Sequence, residues 1–132
     1  MTELTDGSGE LVSVFQGVLK KPMESTSDKK IRERLISSVS YVFGNSIIHN
    51  FLELTFGVLS SAYVLGHTPG QGEDLYVVLV NGSAIAKFEL SRSSNAEPRD
   101  LVTISVDEYR KALRGRQSQL KLSIAIKLAA GR

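Results

Sequence analysis

The stretch "LYVVLVNGSAIAKFEL", residues 75–90, carries the clearest structural signal in the chain. Two apolar runs flank the dipeptide Asn81-Gly82. Both central positions of a type I′ turn need a positive φ, which Asn and Gly adopt more easily than other residues. The stretch therefore predicts a β-hairpin, and it places an antiparallel sheet at the centre of the fold.

Two further stretches show the alternation of side chains that is typical of strands. Residues 101–106, LVTISV, alternate apolar with hydroxyl side chains, which predicts a strand. Residues 46–65 fit two periods, because residues 52–58 alternate as in a strand, whereas Ile48, Leu52 and Thr55 begin a helical row. β-Branched and aromatic side chains favour the strand here, and the helix remains the alternative.

The C-terminal region predicts a short helix and then a closing strand. The helix is expected to be capped by Asp107 and ended by Gly115. Residues 120–128 then alternate apolar residues with polar or small ones, at the period of a strand. One helix from Glu108 to Leu128 remains an alternative, because strong helix formers surround Gly115.

The N-terminal part predicts two amphipathic helices. Residues 10–21 carry apolar side chains at helical spacing: Leu11, Val14, Phe15, Val18 and Leu19. A second helix opens at Ser27 or Asp28 and ends at Gly44-Asn45. Residues 1–9 are expected to be a flexible N-terminal segment of a single domain, 1–132.

These elements define the predicted fold class. It is α+β, with two N-terminal helices packed on an antiparallel sheet of about four to five strands and a short helix before the last strand. Helices are expected to cover one face of this sheet. The second face, with Tyr76, Val78 and Ile85, is expected to meet a partner or another subunit.

Residue types that commonly carry catalysis are scarce. The 132 residues include no cysteine, which excludes disulfides, thiolate metal sites and cysteine nucleophiles. The two histidines, His49 and His67, do not lie at a metal-binding spacing. We therefore expect no catalytic residues, no metal and no cofactor. A small hydrolase or transferase with a site around His67 and Glu73-Asp74 is the least supported alternative.

Charge is distributed unevenly although the net charge is only +2. Residues 1–28 hold five acids and two lysines, whereas residues 110–132 hold seven bases and no acid. Such a basic region predicts contacts with phosphates, and a neighbouring tyrosine could stack on a base. The candidate nucleic-acid-binding residues are Tyr109, Arg110, Lys111, Arg114, Arg116, Lys121 and Lys127.

These features favour a non-enzymatic assembly or protein-interaction module, oligomeric or part of a larger complex. Strands leave edges that must be covered, and an acidic N-terminal region could attract the basic end of another copy. The alternative is RNA or single-stranded DNA binding through the basic C-terminal surface. The start of the chain lacks a secretory pattern and no stretch reads as a membrane span, so an intracellular, for example cytoplasmic, location is expected.

Overall fold

The computed structural model describes residues 26–93 and 97–131. Its elements are, in chain order, α1 (Thr26–Gly44), α2 (Ser46–Phe56), β1 (Ala62–Pro69), β2 (Glu73–Val80), β3 (Ala84–Ser91), β4 (Arg99–Ser105), α3 (Val106–Ala112) and α4 (Arg116–Ala130). The four strands form one antiparallel sheet in the order β1-β2-β3-β4. The predicted α+β class is confirmed, with two helices ahead of the sheet. The helix predicted over residues 10–21 and the segment 1–9 lie outside the described residues.

The predicted hairpin connects β2 and β3. Asn81 and Gly82 have φ of 54° and 69°, and Ser83 N donates to Val80 O at 3.1 Å. The Asn81 side chain also contacts the loop that precedes β1, because its Oδ1 accepts a hydrogen bond from Ser60 N at 2.7 Å. One residue therefore fixes both the turn and the entry into the first strand.

The stretch Ser46–Phe56 is a helix, so the strand predicted there is wrong. Asn45 caps the helix, with Oδ1 accepting from Ile48 N at 3.1 Å. Ile48 and Leu52, which are one helical turn apart, are buried, whereas Leu54 is 88% exposed. The residues at helical spacing, Ile48 and Leu52, thus contact the core, whereas Leu54 from the alternating pattern faces solvent.

The closing strand predicted over residues 120–128 is also wrong, because α4 occupies this stretch. Leu122 and Ala125, three residues apart, are buried on the same side of the helix. The small Ala129 lies close to the hairpin turn, where a Cβ added at Gly82 would come within 3.0 Å of the Ala129 Cβ. Small residues therefore let α4 approach the sheet closely.

The short helix α3 follows the last strand instead of preceding it. Its N-cap is Ser105, not the predicted Asp107. Ser105 Oγ accepts from Glu108 N at 3.0 Å, and Glu108 Oε1 accepts from Ser105 N at 3.3 Å, which forms a capping box. Gly115, with φ of 88°, separates α3 from α4. The single long helix considered as an alternative is therefore two helices.

Helices cover both faces of the sheet. On one face, Phe88 belongs to a buried cluster with Leu52 of α2. On the other face, Ile85 belongs to a second buried cluster with Leu35 of α1 and Leu122 of α4. Each face thus buries apolar side chains, which is the main stabilising contribution in a layered domain.

The expectation of an open second face is wrong. Tyr76, Val78 and Ile85 are 5%, 1% and 0% exposed. Tyr76 and Val78 belong to one cluster and Ile85 to the other, so these residues lie on opposite faces of the sheet. These three side chains are therefore not available to a partner, whereas Leu75 of β2 is 42% exposed.

Candidate functional site

The first edge of the sheet, β1, is covered by α1. Ser38 Oγ accepts a hydrogen bond from Val64 N at 3.0 Å and donates one to Leu35 O at 2.6 Å. Leu35 itself is fully buried. Because Ser38 bonds a backbone amide on the outer side of β1, another strand cannot use that amide for pairing.

The second edge, β4, is open by comparison. No residue of β4 is buried, and Val102 is 52% exposed. In the described part of the chain, the backbone of residues 101–104 makes hydrogen bonds to β3 and to no other segment. Among residues 26–93 and 97–131, therefore, no segment pairs with the outer N–H and C=O groups of this edge, which is the arrangement that an added strand requires.

A bulge limits how much of β4 is regular. Lys87 and Glu89 of β3 lie opposite Val102 and Arg99, so β4 holds one extra residue in this interval. Asp100, in that interval, has φ of 57°. Bulges twist a strand and end regular pairing, so the pairing surface begins at Val102. Residues 101–105 read LVTIS and lack the lysine or proline that often blocks a free edge.

The basic residues predicted on α3 are partly engaged. Arg110 Nη1 lies 2.9 Å from Asp107 Oδ1, so an acid on the same helix pairs with it. Tyr109 is half-buried, and its burial raises the pKa of the phenol. Lys87 Nζ lies 5.8 Å from the centroid of the Tyr109 ring. Tyr109 therefore packs against the second buried cluster and is only partly exposed.

The remaining predicted bases lie in different environments. Lys111, Arg114 and Arg116 are exposed around the α3–α4 connection. In the predicted closing strand, Lys121 and Lys127 would lie on the same face. In α4 they do not, because six residues along a helix correspond to a rotation of about 120° between side chains. The predicted set is thus not one continuous surface.

One base of α4, Lys121, is half-buried and is influenced by the positive charge of Arg34 on α1. Burial of Lys121, and secondarily the positive charge of Arg34, lowers the pKa of the Lys121 ammonium. Arg34 also lines an open cavity of about 420 Å³ with Lys30 and Glu33. The sequence interpretation did not connect these residues, because Arg34 and Lys121 are far apart in the chain.

His67, near the end of β1, and Asp74, near the start of β2, lie together beside the turn that joins the two strands. His67 Nε2 is 3.3 Å from Asp74 Oδ2, and Arg92 Nη2 donates to Asp74 Oδ1 at 2.7 Å. The hydrogen bond from Arg92 holds the pKa of the Asp74 carboxyl below its usual range. The proximity of His67 and Asp74 meets one requirement of the hydrolase alternative, namely a carboxylate that orients an imidazole.

An aromatic pocket adjoins this cluster. The His67 ring stacks on Tyr76 with centroids 4.6 Å apart, and the Tyr76 hydroxyl lies 2.7 Å from that of Tyr41. The two tyrosines, His67, Val64 and Ser38 line a cavity of about 300 Å³. Burial and the hydrogen bond with Tyr41 raise the pKa of Tyr76, so its phenol stays protonated.

The serine hydroxyl of this pocket is engaged by backbone groups. The Ser38 hydroxyl already accepts from Val64 N and donates to Leu35 O. Within residues 26–93 and 97–131, no group of three His, Cys, Asp or Glu side chains is placed to hold a metal ion. The arrangement therefore supplies an oriented imidazole and an aromatic wall, and its one serine hydroxyl is engaged by backbone groups.

Comparisons with protein-family models, curated proteins and solved structures find no match to this chain. No helix in the described ranges combines the length and the apolar character that crossing a membrane requires.

Proposed function

We propose that the protein is a non-enzymatic assembly module whose copies pair through β4. The observation that carries this proposal is the contrast between the sheet's two edges. β1 is covered by α1 through Ser38 and Leu35, whereas Val102 and its neighbours on β4 are exposed. An antiparallel β4–β4 pair would join two four-stranded sheets into one of eight strands.

The covered β1 edge supports a closed dimer over an open-ended fibre. Two identical strands paired antiparallel are related by a two-fold axis, so the interface is the same on both copies. Once both β4 strands are paired, each remaining edge of the joined sheet is a β1 strand. Since α1 lies along β1, strand addition stops at two copies.

The test is the oligomeric state of the full chain with and without Val102→Lys. Light scattering over a wide concentration range should give a dimer for the natural chain. Val102→Lys should shift the dimer dissociation constant upward by about tenfold or more. A lysine at the middle of an edge must be desolvated on pairing, and two such charges meet in a symmetric interface.

Leu54→Lys is the matched control, because Leu54 is an exposed apolar residue of α2, away from β4. This variant should dimerise like the natural chain. A strict monomer at high concentration, with no protein recovered as a partner, would contradict the proposal. A dimer that survives Val102→Lys and is lost in Leu54→Lys would move the interface away from β4.

The His67 cluster also supports a role other than catalysis. The Asp74 carboxylate is shared between Arg92 and His67, and the Tyr76 hydroxyl is held by Tyr41. These contacts connect β1, β2, α1 and the end of β3, as expected for a structural cluster.

A second candidate function is binding of RNA or single-stranded DNA, and the mutual electrostatic influence of Arg34 and Lys121 supports it. Two cations that act on each other also attract a phosphate, and its binding would release counterions. Binding of a single-stranded oligonucleotide should weaken as salt rises. The double variant Arg34→Gln, Lys121→Gln should reduce the slope of that salt dependence by about one to two charges.

Arg110→Gln is the matched control for this second candidate, since Asp107 already pairs with Arg110. It should leave oligonucleotide binding almost unchanged. The absence of binding at low salt, or an equal loss in the Arg110 variant, would remove this candidate.

A further inference from the structure

One face of α1 contributes to two adjacent cavities. Lys30, Arg34, Ser37 and Tyr41 follow one another at intervals of three or four residues, so they share a face of this helix. The first cavity has a volume of about 420 Å³ and is lined by Lys30, Glu33, Arg34, Ser37 and Ser38. The second has a volume of about 300 Å³ and is lined by Ser38, Tyr41, Val64, His67 and Tyr76. Because Ser38 lines both, the two cavities adjoin each other.

The first cavity is basic. Its two cations, Lys30 and Arg34, are exposed, and they outnumber its single acid, Glu33. The positive charge of Arg34 also acts on the half-buried Lys121 of α4, so a third base contributes to the potential near this end of the face. Such a concentration of positive charge attracts a phosphate.

The second cavity is aromatic. Its buried ring, Tyr76, stacks on His67 with centroids 4.6 Å apart and on Tyr41 with centroids 5.9 Å apart. Tyr41 is 44% exposed, and 45% of the His67 side chain is exposed. The buried ring therefore anchors two rings that remain accessible to solvent. Aromatic rings held in this way offer stacking surface to the base of a nucleotide.

We propose that this face of α1 binds one nucleotide unit, whose phosphate lies in the first cavity and whose base stacks in the second. Arg34 and Tyr41 are seven residues apart, which corresponds to about 10 Å along the helix, and the long Arg34 side chain shortens that gap. The inference rests on the second candidate function, for which it names the ligand surface. It does not depend on pairing through β4.

The different character of the two cavities selects this class of ligand. A phosphate alone would use only the basic cavity, and an uncharged ring alone would use only the aromatic one. The carboxylate of Asp74, beside His67, already accepts a hydrogen bond from Arg92 Nη2 at 2.7 Å. An ionic group in the aromatic cavity would therefore compete with an existing ion pair. A ligand with one charged end and one uncharged, planar end matches both cavities.

The affinities of two single-stranded ligands for the full chain test this inference. One ligand is a short oligoadenylate, and the other is an abasic oligomer of the same length and therefore of the same charge. The natural chain should bind the oligoadenylate about tenfold more tightly, because only this ligand has bases that can stack on the rings. Fluorescence polarisation of labelled ligands measures both dissociation constants.

Substitutions on α1 separate the two parts of the surface. Tyr41→Ala should remove the preference for the oligoadenylate, whereas Tyr41→Phe, which keeps the ring, should retain it. Arg34→Gln should weaken the binding of both ligands and lower the slope of the salt dependence by about one. Phe43→Ala is the matched control, because Phe43 is an exposed aromatic residue of the same helix that lies on another face. It should leave both dissociation constants unchanged.

Two results would overturn this inference and leave nucleic-acid binding in place. One is equal affinity of the natural chain for the two ligands, and the other is a preference that survives Tyr41→Ala or is lost equally in Phe43→Ala. No binding of either ligand at low salt would remove the second candidate function together with the inference. Adenosine monophosphate as a competitor identifies the source of the nucleotide. Displacement of the oligoadenylate supports a free nucleotide as the ligand, and a Tyr41-dependent preference without displacement supports a nucleotide within a strand.

Discussion

The two edges of the sheet differ in the partners that their backbone N–H and C=O groups have among the described residues. At β1, a helix lies alongside the strand and Ser38 bonds the outer amide of Val64. At β4, the structure describes only β3 as a backbone partner, and Val102 is half exposed. A helix therefore covers one edge, whereas in the described ranges the other edge is paired with β3 alone.

The largest expected effect comes from removing the helix packing at β1. Leu35→Ala should lower the free energy of unfolding by about 2–5 kcal/mol, because Leu35 is fully buried and leaves a cavity. Leu54→Ala makes the same chemical change at an exposed site and should cost less than about 0.5 kcal/mol. Urea denaturation measures both. Equal losses would show that α1 does not stabilise this edge.

Ser38→Ala tests the hydrogen bond that covers the β1 amide. Leaving Val64 N without its partner should cost about 1–3 kcal/mol, offset by about 0.5 kcal/mol of helix propensity. Ser37→Ala, at the exposed neighbouring position, should show only the small gain. Hydrogen exchange at the Val64 amide should quicken in the first variant alone. An unchanged exchange rate would refute the role of Ser38.

The same substitution on each edge strand compares the two directly. Val64→Ala should cost about 1–2 kcal/mol, at about 0.8 kcal/mol for each buried carbon removed. Val102→Ala, measured at a concentration where the chain is monomeric, should cost less than about 0.5 kcal/mol. If thermal unfolding shows the reverse order, β4 is covered within a single chain.

The smallest effect concerns the charged cluster beside β1. The Asp74 pKa is lowered in the folded state, chiefly by the hydrogen bond from Arg92, so this contact stabilises the fold above the ordinary Asp pKa. The stabilisation is lost as the pH falls through the lowered pKa. Arg92→Gln should therefore be less stable than the natural chain at pH 7, and equally stable in strong acid. A difference that persists at the lowest pH would refute this assignment.

The sequence predicted the centre of the sheet well, because its signals there are local. Asn81-Gly82 needs only its own backbone preference to define the hairpin, and residues 101–106 show a plain strand period, although Val106 begins α3. Both predictions are confirmed by β2, β3 and β4. Such signals require no knowledge of what packs against the strand.

The predictions failed where two periods competed. Residues 52–58 and 120–128 both alternate, yet both regions are helical because the helical rows are the ones that meet the core. Leu122 and Ala125 are buried three residues apart, and Leu54 is left in solvent. Tertiary packing therefore determined the secondary structure of both regions. Asn45 is the N-cap of α2, and the strand interpretation did not take this capping signal into account.

The site was harder to anticipate for a related reason. An edge is open or covered according to which helix lies beside it, and the position of α1 along β1 does not follow from local pattern. The electrostatic influence of Arg34 on Lys121, and the contacts of both Arg92 and His67 with Asp74, connect residues distant in sequence. Pairs of this kind become visible only in three dimensions.

Amide hydrogen exchange of the natural chain at low and high protein concentration tests the central claim most directly. Pairing through β4 predicts that those amides of residues 102–104 that do not bond β3 gain protection as the concentration rises. Amides of β1 should exchange at the same rate in both samples, because α1 covers that edge within each chain. Protection that rises along β1, or rates along β4 that do not change with concentration, would contradict the account.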